Sequence, residues 1–188
     1  FSEEMSTFII ETDAETWGKT GFENMPAEEM RKECEHIFSD VLGGQPLVSN
    51  HSKWRNFPRL WNKNWWHSNA VLLGDALHTA HFSIGSGTRL AMEDAIALVK
   101  SMNLQPDDIP AALQYYQDSR RPVVEKLMSA ADSSSQWYEY FGEHMKLPLW
   151  EFAYSYIRRA GRLKDKQLRA LSPGFMARYK TFRSKEAG

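Results

Sequence analysis

The spacing of hydrophobic and polar residues predicts strands and one helix in the first third of the chain. Residues 6–12 are β-branched and aromatic, which predicts a strand. Residues 13–22 are polar and include Gly18 and Gly21, so they predict a turn or loop. A helix is then predicted over residues 26–41, where hydrophobic residues recur at helical spacing after a proline. Residues 47–60 alternate loosely and predict one or two further strands.

The middle of the chain predicts a strand, a long loop and two helices. Residues 70–73 form a continuous apolar run, which is typical of a strand buried on both faces. Residues 74–88 follow neither the helical nor the strand period and predict a loop. An amphipathic helix is predicted over residues 89–103. Residues 111–141 predict a second helix, which Pro122 should kink or divide.

The last quarter of the chain predicts one more helix, over residues 149–166, and a basic end, residues 171–188, that frays. Strands therefore come before and between helices. The predicted fold class is α+β or α/β in two unequal parts, with a boundary near residues 61–68.

Composition and charge exclude several classes of protein. Hydrophobic residues make up 42% and charged residues 25%, which is typical of a folded globular protein. A net charge of −1 gives no basic field for nucleic acid, so no nucleic-acid partner is expected. Cys34 is the single cysteine, which excludes an intrachain disulfide and a thiolate metal site and fits the cytoplasm. No apolar run approaches the roughly 20 residues that span a bilayer, so no membrane partner is expected.

Candidate chemistry lies between residues 69 and 95. The predicted strand delivers Gly74 and Asp75 at its carboxyl end, where open α/β sheets bind ligands. The Asp75 carboxylate suits the hydroxyl groups of a sugar or polyol, and Gly74 permits a close approach of the backbone. Residues 85–87, Gly-Ser-Gly, present backbone N–H groups at a helix N-terminus, which favours anions or electron-rich oxygens. Phosphorylated sugars and flavins both meet these requirements.

The same residues resemble the second flavin-binding motif of the group A flavoprotein monooxygenases, the para-hydroxybenzoate hydroxylase type. That motif is an apolar strand, G-D-A-A-H, three residues and Pro, then G-x-G and a helix that runs into E-D-A. The matching positions are Gly74, Asp75, Ala76, His78, Gly85, Gly87, Glu93, Asp94 and Ala95. Leu77 and Phe82 depart from the motif, where Ala and Pro are usual.

Residues 78–88 and the helix that follows look most like the branch that acts on aromatic acyl-CoA thioesters, the salicylyl-CoA 5-hydroxylase and aminobenzoyl-CoA monooxygenase kind. The tryptophans Trp54, Trp65 and Trp66 and residues 115–122 support this narrower resemblance. The resemblance implies an aromatic or acyl-CoA substrate. It also implies NAD(P)H as the reductant of the flavin and O₂ as the source of the oxygen atom.

The resemblance assigns roles to the residues of the motif. Asp75 would hydrogen-bond the ribityl chain of FAD, beside the tight turn at Gly74. The helix that begins near Arg89 would direct its positive end at the pyrimidine edge of the flavin ring. The residues whose backbone would lie against that edge are Gly85, Ser86, Gly87 and Thr88. No metal site is implied, and no catalytic residue can be assigned.

The resemblance also implies that the chain is an incomplete FAD-binding domain with the end of its substrate-domain sheet, followed by helices. Residues 1–65 would end the substrate-binding domain, and residues 66–135 would form the returning part of the FAD-binding domain. Residues 136–188 would be carboxy-terminal helices or a linker to a further oxidoreductase domain. The G-x-G-x-x-G pyrophosphate fingerprint does not occur in the sequence and is expected upstream, so the chain alone is not expected to hold FAD tightly.

Several residues have two interpretations. His81 and Trp54 could line the substrate pocket, whereas loop packing and the boundary between domains are the alternatives. His78 and His81 have no third ligand nearby, which disfavours a metal site. Glu93 and Asp94 are interpreted as helix-surface and packing residues rather than acid–base catalysts. For the whole chain, the alternative is a noncatalytic helical interaction domain with a flavin-like loop.

Overall fold

The computed structural model of the chain describes residues 2–49 and 52–186 and is mostly helical. The chain divides into two compact units, Phe1–Asn56 and Phe57–Gly188. Within the described residues, the one sheet has two strands, so the expected substrate-domain sheet is not formed by this part of the chain. How these units correspond to the domains of a complete enzyme stays a prediction.

The first unit consists of short helices. Asp13 caps the first of them by accepting a hydrogen bond from the Thr16 N–H at 2.8 Å. This cap, together with Gly21 in the left-handed conformation after the last turn, explains why residues 13–22 are not the predicted loop. The elements are α1 (Ala14–Thr20), a 3₁₀ turn (Phe22–Asn24), α2 (Ala27–Ile37) and α3 (Ser39–Leu42).

The described residues do not form the strands predicted over residues 6–12 and 47–60; of the second range, residues 50–51 lie outside the described residues. Residues 6–12 form no regular element and pair with no other strand among the described residues, and a strand needs a hydrogen-bonded neighbour. Phe8 instead packs edge-on against Phe38, with ring centroids 5.3 Å apart. Residues 47–49 and 52–60 contain no strand either, although Leu60 accepts a hydrogen bond from the Thr79 N–H at 3.1 Å.

The second unit opens with a small hairpin. Strands β1 (Trp66–His67) and β2 (Ala70–Val71) pair antiparallel, with Trp66 opposite Val71 and His67 opposite Ala70. Ser68 makes the turn with a φ of 53°. Ala70 is exposed and Val71 is half-buried, so the expected strand buried on both faces is wrong for the described residues, which give β2 one neighbour.

Six helices complete the described part of the second unit. They are α4 (Gly87–Leu104), α5 (Ile109–Glu139), α6 (Phe141–His144), α7 (Leu149–Arg158), α8 (Asp165–Leu171) and α9 (Pro173–Glu186). Helix α5 continues through Pro122, so a division there is wrong, and the other expectation, a kink, stays a prediction. Val124 and Leu127, which follow the proline, are buried in the core and hold the helix in place.

The carboxy-terminal elements also differ from the prediction. The last predicted helix ends at Arg158, and Gly161, with a φ of 66°, separates it from α8. Residues 173–186 form α9 instead of fraying. The reason is tertiary packing, because the ring of Tyr179 stacks on Tyr154 of α7 with centroids 4.2 Å apart.

The core of the second unit lies between α4, α5 and the segment that links β2 to α4. Its fully buried side chains include Trp65, Leu77, Leu90, Tyr116 and Val124. Each buried leucine stabilises the fold by about 1.5–3 kcal/mol relative to an exposed one. The link between β2 and α4, where the candidate chemistry lies, is therefore fixed to the best-packed part of the chain.

Replacing Asp108 with alanine should destabilise the chain by about 0.5–2 kcal/mol. The Asp108 carboxylate caps α5 by accepting a hydrogen bond from the Ala111 N–H at 3.0 Å. Urea denaturation measures the change in unfolding free energy. The neighbouring exposed Asp107 caps no helix, and Asp107→Ala should change stability by less than about 0.5 kcal/mol. Equal losses in the two variants would contradict the capping role.

Candidate functional site

The segment after β2 forms a tight turn that lies against α4. Gly74–Ala76 is one turn of 3₁₀ helix, and both Leu77 N–H and His78 N–H donate to the Gly74 carbonyl at 2.9 Å. Gly74 has a φ of 57°, and a Cβ at this position would lie 3.0 Å from the Ala91 Cβ. Both the left-handed backbone and the close contact with α4 therefore require glycine here.

A buried carboxylate, that of Asp94 in α4, holds this turn in place. Its Oδ2 accepts a hydrogen bond from the Gly74 N–H at 3.1 Å. The same oxygen lies within hydrogen-bonding distance of His78 Nε2, at 2.8 Å. Its Oδ1 accepts from Arg120 Nε of α5 at 2.8 Å. Asp94 is 0% exposed, and His78 and Arg120 are also buried. One carboxylate thus connects the turn, α4 and α5.

Arg120 extends the network to a second carboxylate. Its terminal nitrogen lies 2.8 Å from Glu93 Oε2 and 3.4 Å from the Leu90 carbonyl. Glu93 in turn pairs with the exposed Arg89 at 2.8 Å. Arg89 therefore has an ion-pair partner on its own helix.

The hydrogen bonds decide the charge of Asp94. Burial alone would raise its pKa, but the hydrogen bonds from His78, Arg120 and the Gly74 amide outweigh burial, and the net effect lowers the pKa below its ordinary value of 3.8. Asp94 is therefore a carboxylate at neutral pH. Burial raises the pKa of the neighbouring Tyr116, whose hydroxyl donates to the Leu72 carbonyl at 3.3 Å and stays protonated.

The amino-terminal end of α4 is left without a side-chain cap. A second 3₁₀ turn, Phe82–Ile84, ends at Gly85, which has a φ of 61°. Ser86 stands at the N-cap position, but its hydroxyl donates to the Ile84 carbonyl at 3.2 Å instead of accepting from the helix. The first N–H groups of α4 therefore present the positive end of an 18-residue helix without a side-chain acceptor.

Asp75 differs from Asp94 in every respect that matters for binding. It is exposed on the first turn, and the described residues give its carboxylate no hydrogen bond or ion pair. Its neighbour Gly74 is fixed against α4 by its hydrogen bond to Asp94. Asp94 lies seven residues after Gly87 in α4, which corresponds to about 10 Å along the helix axis. Gly74, Asp75 and residues 85–88 thus belong to one packed assembly.

The two residues predicted for the substrate pocket belong to different units. His81 Nδ1 accepts from the Ser83 N–H at 3.3 Å, and its ring stacks on Phe82 and meets Phe57 edge-on. It also lines a cleft of about 290 Å³ with Phe57, Arg59, Thr79, Asp132, Ser135 and Gln136. Trp54 lies in the first unit, where it packs against Trp17 and Phe22.

The interpretation of Asp94 as a helix-surface and packing residue missed its role. The sequence contains a signal for it, because Leu90, Asp94 and Leu98 recur every four residues on the apolar face of α4. A carboxylate on an apolar face needs a buried partner. Arg120, 26 residues away, could not be identified as that partner from spacing alone.

Among the described residues we find neither a metal site nor a membrane-spanning helix. No group of three or more His, Cys, Asp or Glu residues in this part of the chain could hold a metal ion, and His78 is engaged with Asp94. None of the helices over residues 2–49 and 52–186 is both long and apolar enough to cross a membrane.

Comparison with known proteins supplies independent information on this segment. A family described as "FAD binding domain" matches residues 3–131. The chain is 39% identical over 170 residues to salicyloyl-CoA 5-hydroxylase of Streptomyces sp, covering 85% of this chain and 33% of that protein. It is 40% identical over 138 residues to 3-hydroxy-4-methyl-anthranilyl-[aryl-carrier protein] 5-monooxygenase of Streptosporangium sibiricum, covering 73% and 35%.

A third relative is protodeoxyviolaceinate monooxygenase of Chromobacterium violaceum, 38% identical over 160 residues, which are 85% of this chain and 43% of that protein. The chain thus spans between a third and somewhat over two fifths of the length of these curated relatives.

Replacing Asp94 with asparagine should destabilise the chain by about 3–5 kcal/mol, because the buried Arg120 loses its carboxylate partner. Thermal or urea unfolding measures the loss. Asp75→Asn is the matched control, since it makes the same change nineteen residues earlier on an exposed side chain and should be nearly neutral. A loss below about 1 kcal/mol in Asp94→Asn would show that the network does not stabilise the turn.

The contribution of Asp94 should also depend on pH in a defined direction. Its pKa in the folded chain lies below 3.8, so its stabilising effect is fully present above that pH and is lost as the pH falls through the folded value. The difference in unfolding free energy between the native chain and Asp94→Asn should therefore narrow mainly below pH 3.8. Urea titrations at a series of acidic pH values measure it. A difference that persists undiminished to strongly acidic pH would contradict this.

Proposed function

Because the chain belongs to the FAD binding domain family, we propose that residues 74–88 hold the flavin half of FAD in a monooxygenase that hydroxylates an aromatic ring. The observation that carries the proposal is the exposed, unpaired Asp75 carboxylate on a turn that the buried Asp94 fixes against α4. A free carboxylate on a rigid turn is suited to bind hydroxyl groups with little loss of conformational freedom.

The residues fit a flavin on structural grounds. Asp75 supplies an acceptor for the hydroxyls of the ribityl chain, and the uncapped N-terminus of α4 supplies N–H groups for the electron-rich edge of the ring. Gly85 and Gly87 leave the space beside them open, since a Cβ built at either would meet no atom within 4 Å. Ser86 and Thr88 would contribute through their backbone.

When bound, the flavin supplies the redox chemistry, with NAD(P)H as the proposed reductant and O₂ as the source of the oxygen atom. The residues of this chain bind and orient it. Asp94, His78 and Arg120 keep the turn at Gly74 in register with α4. The positive end of α4 favours negative charge at the part of the ring that it faces.

We propose that other segments complete the flavin site. The 188 residues hold no G-x-G-x-x-G fingerprint, and they span only 33–43% of the relatives described above. Residues 1–65 are then the end of a substrate-binding domain, and residues 66–135 the returning part of the FAD-binding domain. Residues 136–188 form helices that lead to or contact a further domain.

The proposed substrate is an aromatic acyl group carried as a thioester. Two relatives are named for acyl groups of this kind, one attached to coenzyme A and one to an aryl-carrier protein. The proposed place for the aromatic ring of the substrate is the cleft at His81. This cleft has a volume of about 290 Å³ and is lined in part by Phe57. Trp54 is proposed as a second substrate-side residue.

Asp75→Ala in the full-length protein that carries this chain should weaken FAD binding roughly tenfold to a hundredfold, because a hydrogen bond to a charged group contributes about 1.5–3 kcal/mol. Quenching of flavin fluorescence during titration measures the dissociation constant. Asp107→Ala removes an equally exposed carboxylate from a turn outside the site and should leave it unchanged.

The result that would contradict the proposal is a folded, full-length protein that stays colourless and ignores added FAD. The noncatalytic interaction domain would then be the better hypothesis. An Asp75→Ala protein that binds FAD as tightly as the native protein would contradict the assignment of Asp75.

A further inference from the structure

Charge is unevenly distributed along the chain, although the net charge is −1. Residues 149–186 contain ten Lys or Arg and three Asp or Glu, whereas residues 1–148 contain 13 basic and 21 acidic residues. The positive charge is therefore concentrated on helices α7, α8 and α9 and the segments between them. Such a concentration attracts an anionic ligand or partner.

Only part of this positive charge is neutralised by ion pairs among residues 149–186. Arg158 pairs with Asp165 at 3.2 Å, and Arg183 pairs with Glu151. Arg178 and Lys185, both exposed on α9, have no ion pair among the described residues. They are seven residues apart, two helical turns, and so lie on one face of α9.

That face of α9 forms one wall of a hollow. The hollow has a volume of about 380 Å³ and is lined by Trp150 of α7 and by Ala177, Arg178, Thr181, Phe182 and Lys185 of α9. Trp150 and Phe182 are half-buried, and the Trp150 ring packs against Phe175 with centroids 5.8 Å apart. The lining of the hollow thus combines two aromatic side chains with the two cations Arg178 and Lys185.

We propose that this hollow binds the phosphorylated nucleotide end of a coenzyme A thioester. This inference rests on the proposed function, which requires an acyl thioester as substrate. Coenzyme A ends in a flat adenine beside a 3′-phosphate and a pyrophosphate. The adenine matches the aromatic side chains of Trp150 and Phe182, and the phosphates match the cations of Arg178 and Lys185.

The presence of both cationic and aromatic side chains in one hollow favours a nucleotide over a simpler anion. An inorganic phosphate would pair with the cations but would not cover the aromatic side chains. An uncharged aromatic ligand would contact the aromatic side chains but would not pair with the cations. Coenzyme A presents both groups close together, and its acyl end extends away on a flexible arm toward another part of the protein.

The test is calorimetric titration of the full-length protein with coenzyme A and with pantetheine, which lacks the nucleotide. The variant Arg178→Gln/Lys185→Gln should bind coenzyme A at least about tenfold more weakly, and added salt should weaken binding to the native protein. The native protein should bind pantetheine much more weakly than coenzyme A. The variant should bind pantetheine and coenzyme A with equal affinity.

The matched control is Arg169→Gln/Lys180→Gln, which removes the same charge from α8 and α9 outside the hollow. Lys180 follows Arg178 by two residues, so it projects from a different face of α9. The control should retain the native affinity for coenzyme A. All four side chains are exposed, so the variants should unfold at the temperature of the native protein.

The inference would be overturned by native affinity for coenzyme A in Arg178→Gln/Lys185→Gln, by an equal loss of affinity in the control, or by no binding of coenzyme A to the native protein. Preferential binding of anionic vesicles or a short oligonucleotide over coenzyme A would also overturn it. Titration with FAD keeps the two proposals apart. A protein that binds coenzyme A at the hollow but does not bind FAD would contradict the proposed function. A protein that binds FAD but does not bind coenzyme A would contradict this inference alone.

Discussion

The buried carboxylate of Asp94 is the interaction on which the rest of the second unit depends. Removing a charged group from water is expensive, and it is tolerated only where the lost hydration is replaced. Here the replacement comes from three directions, namely a backbone N–H of the Gly74 turn, the His78 ring and the Arg120 guanidinium of α5. Gly74 and His78 belong to the turn after β2, Arg120 belongs to α5 and Asp94 itself to α4, so satisfying one charge fixes the relative positions of three segments.

This constraint explains why the turn after β2 can be tight. Gly74 brings the backbone within contact of Ala91, and the Gly74 amide reaches Asp94 only because no side chain intervenes. The hairpin before the turn contributes little, since β1 and β2 are two residues each. The ordering of the turn therefore comes from the helix that follows it in sequence rather than from the sheet that precedes it.

Two aspartates of the same segment have opposite roles for a physical reason. Asp94 is buried and has three partners, which engage both of its oxygens, so it stabilises the fold and is closed off from a ligand. Asp75 has none among the described residues and faces solvent, so it contributes nothing measurable to the fold and is available to a ligand. A sequence motif that contains both therefore combines a structural carboxylate with one that we propose binds a ligand.

The sequence predicted local features better than those that depend on distant parts of the chain. The motif from Gly74 to Ala95 identified the family, and α2, α4 and α5 lie close to their predicted positions. Residues 6–12 failed as a strand because β-branched composition does not supply a partner strand. Helix α9 was missed because the Tyr154–Tyr179 stack joins residues 25 positions apart. The Asp94–Arg120 pair was missed for the same reason.

The central claim is that Asp94 fixes residues 74–88 as the surface that meets the flavin, and amide hydrogen exchange of the full-length protein tests it most directly. The account predicts that the Gly74 amide exchanges slowly without FAD, and that FAD further slows exchange of the amides of residues 85–89. Rapid exchange at Gly74, or protection by FAD that appears elsewhere and leaves residues 85–89 unchanged, would contradict it.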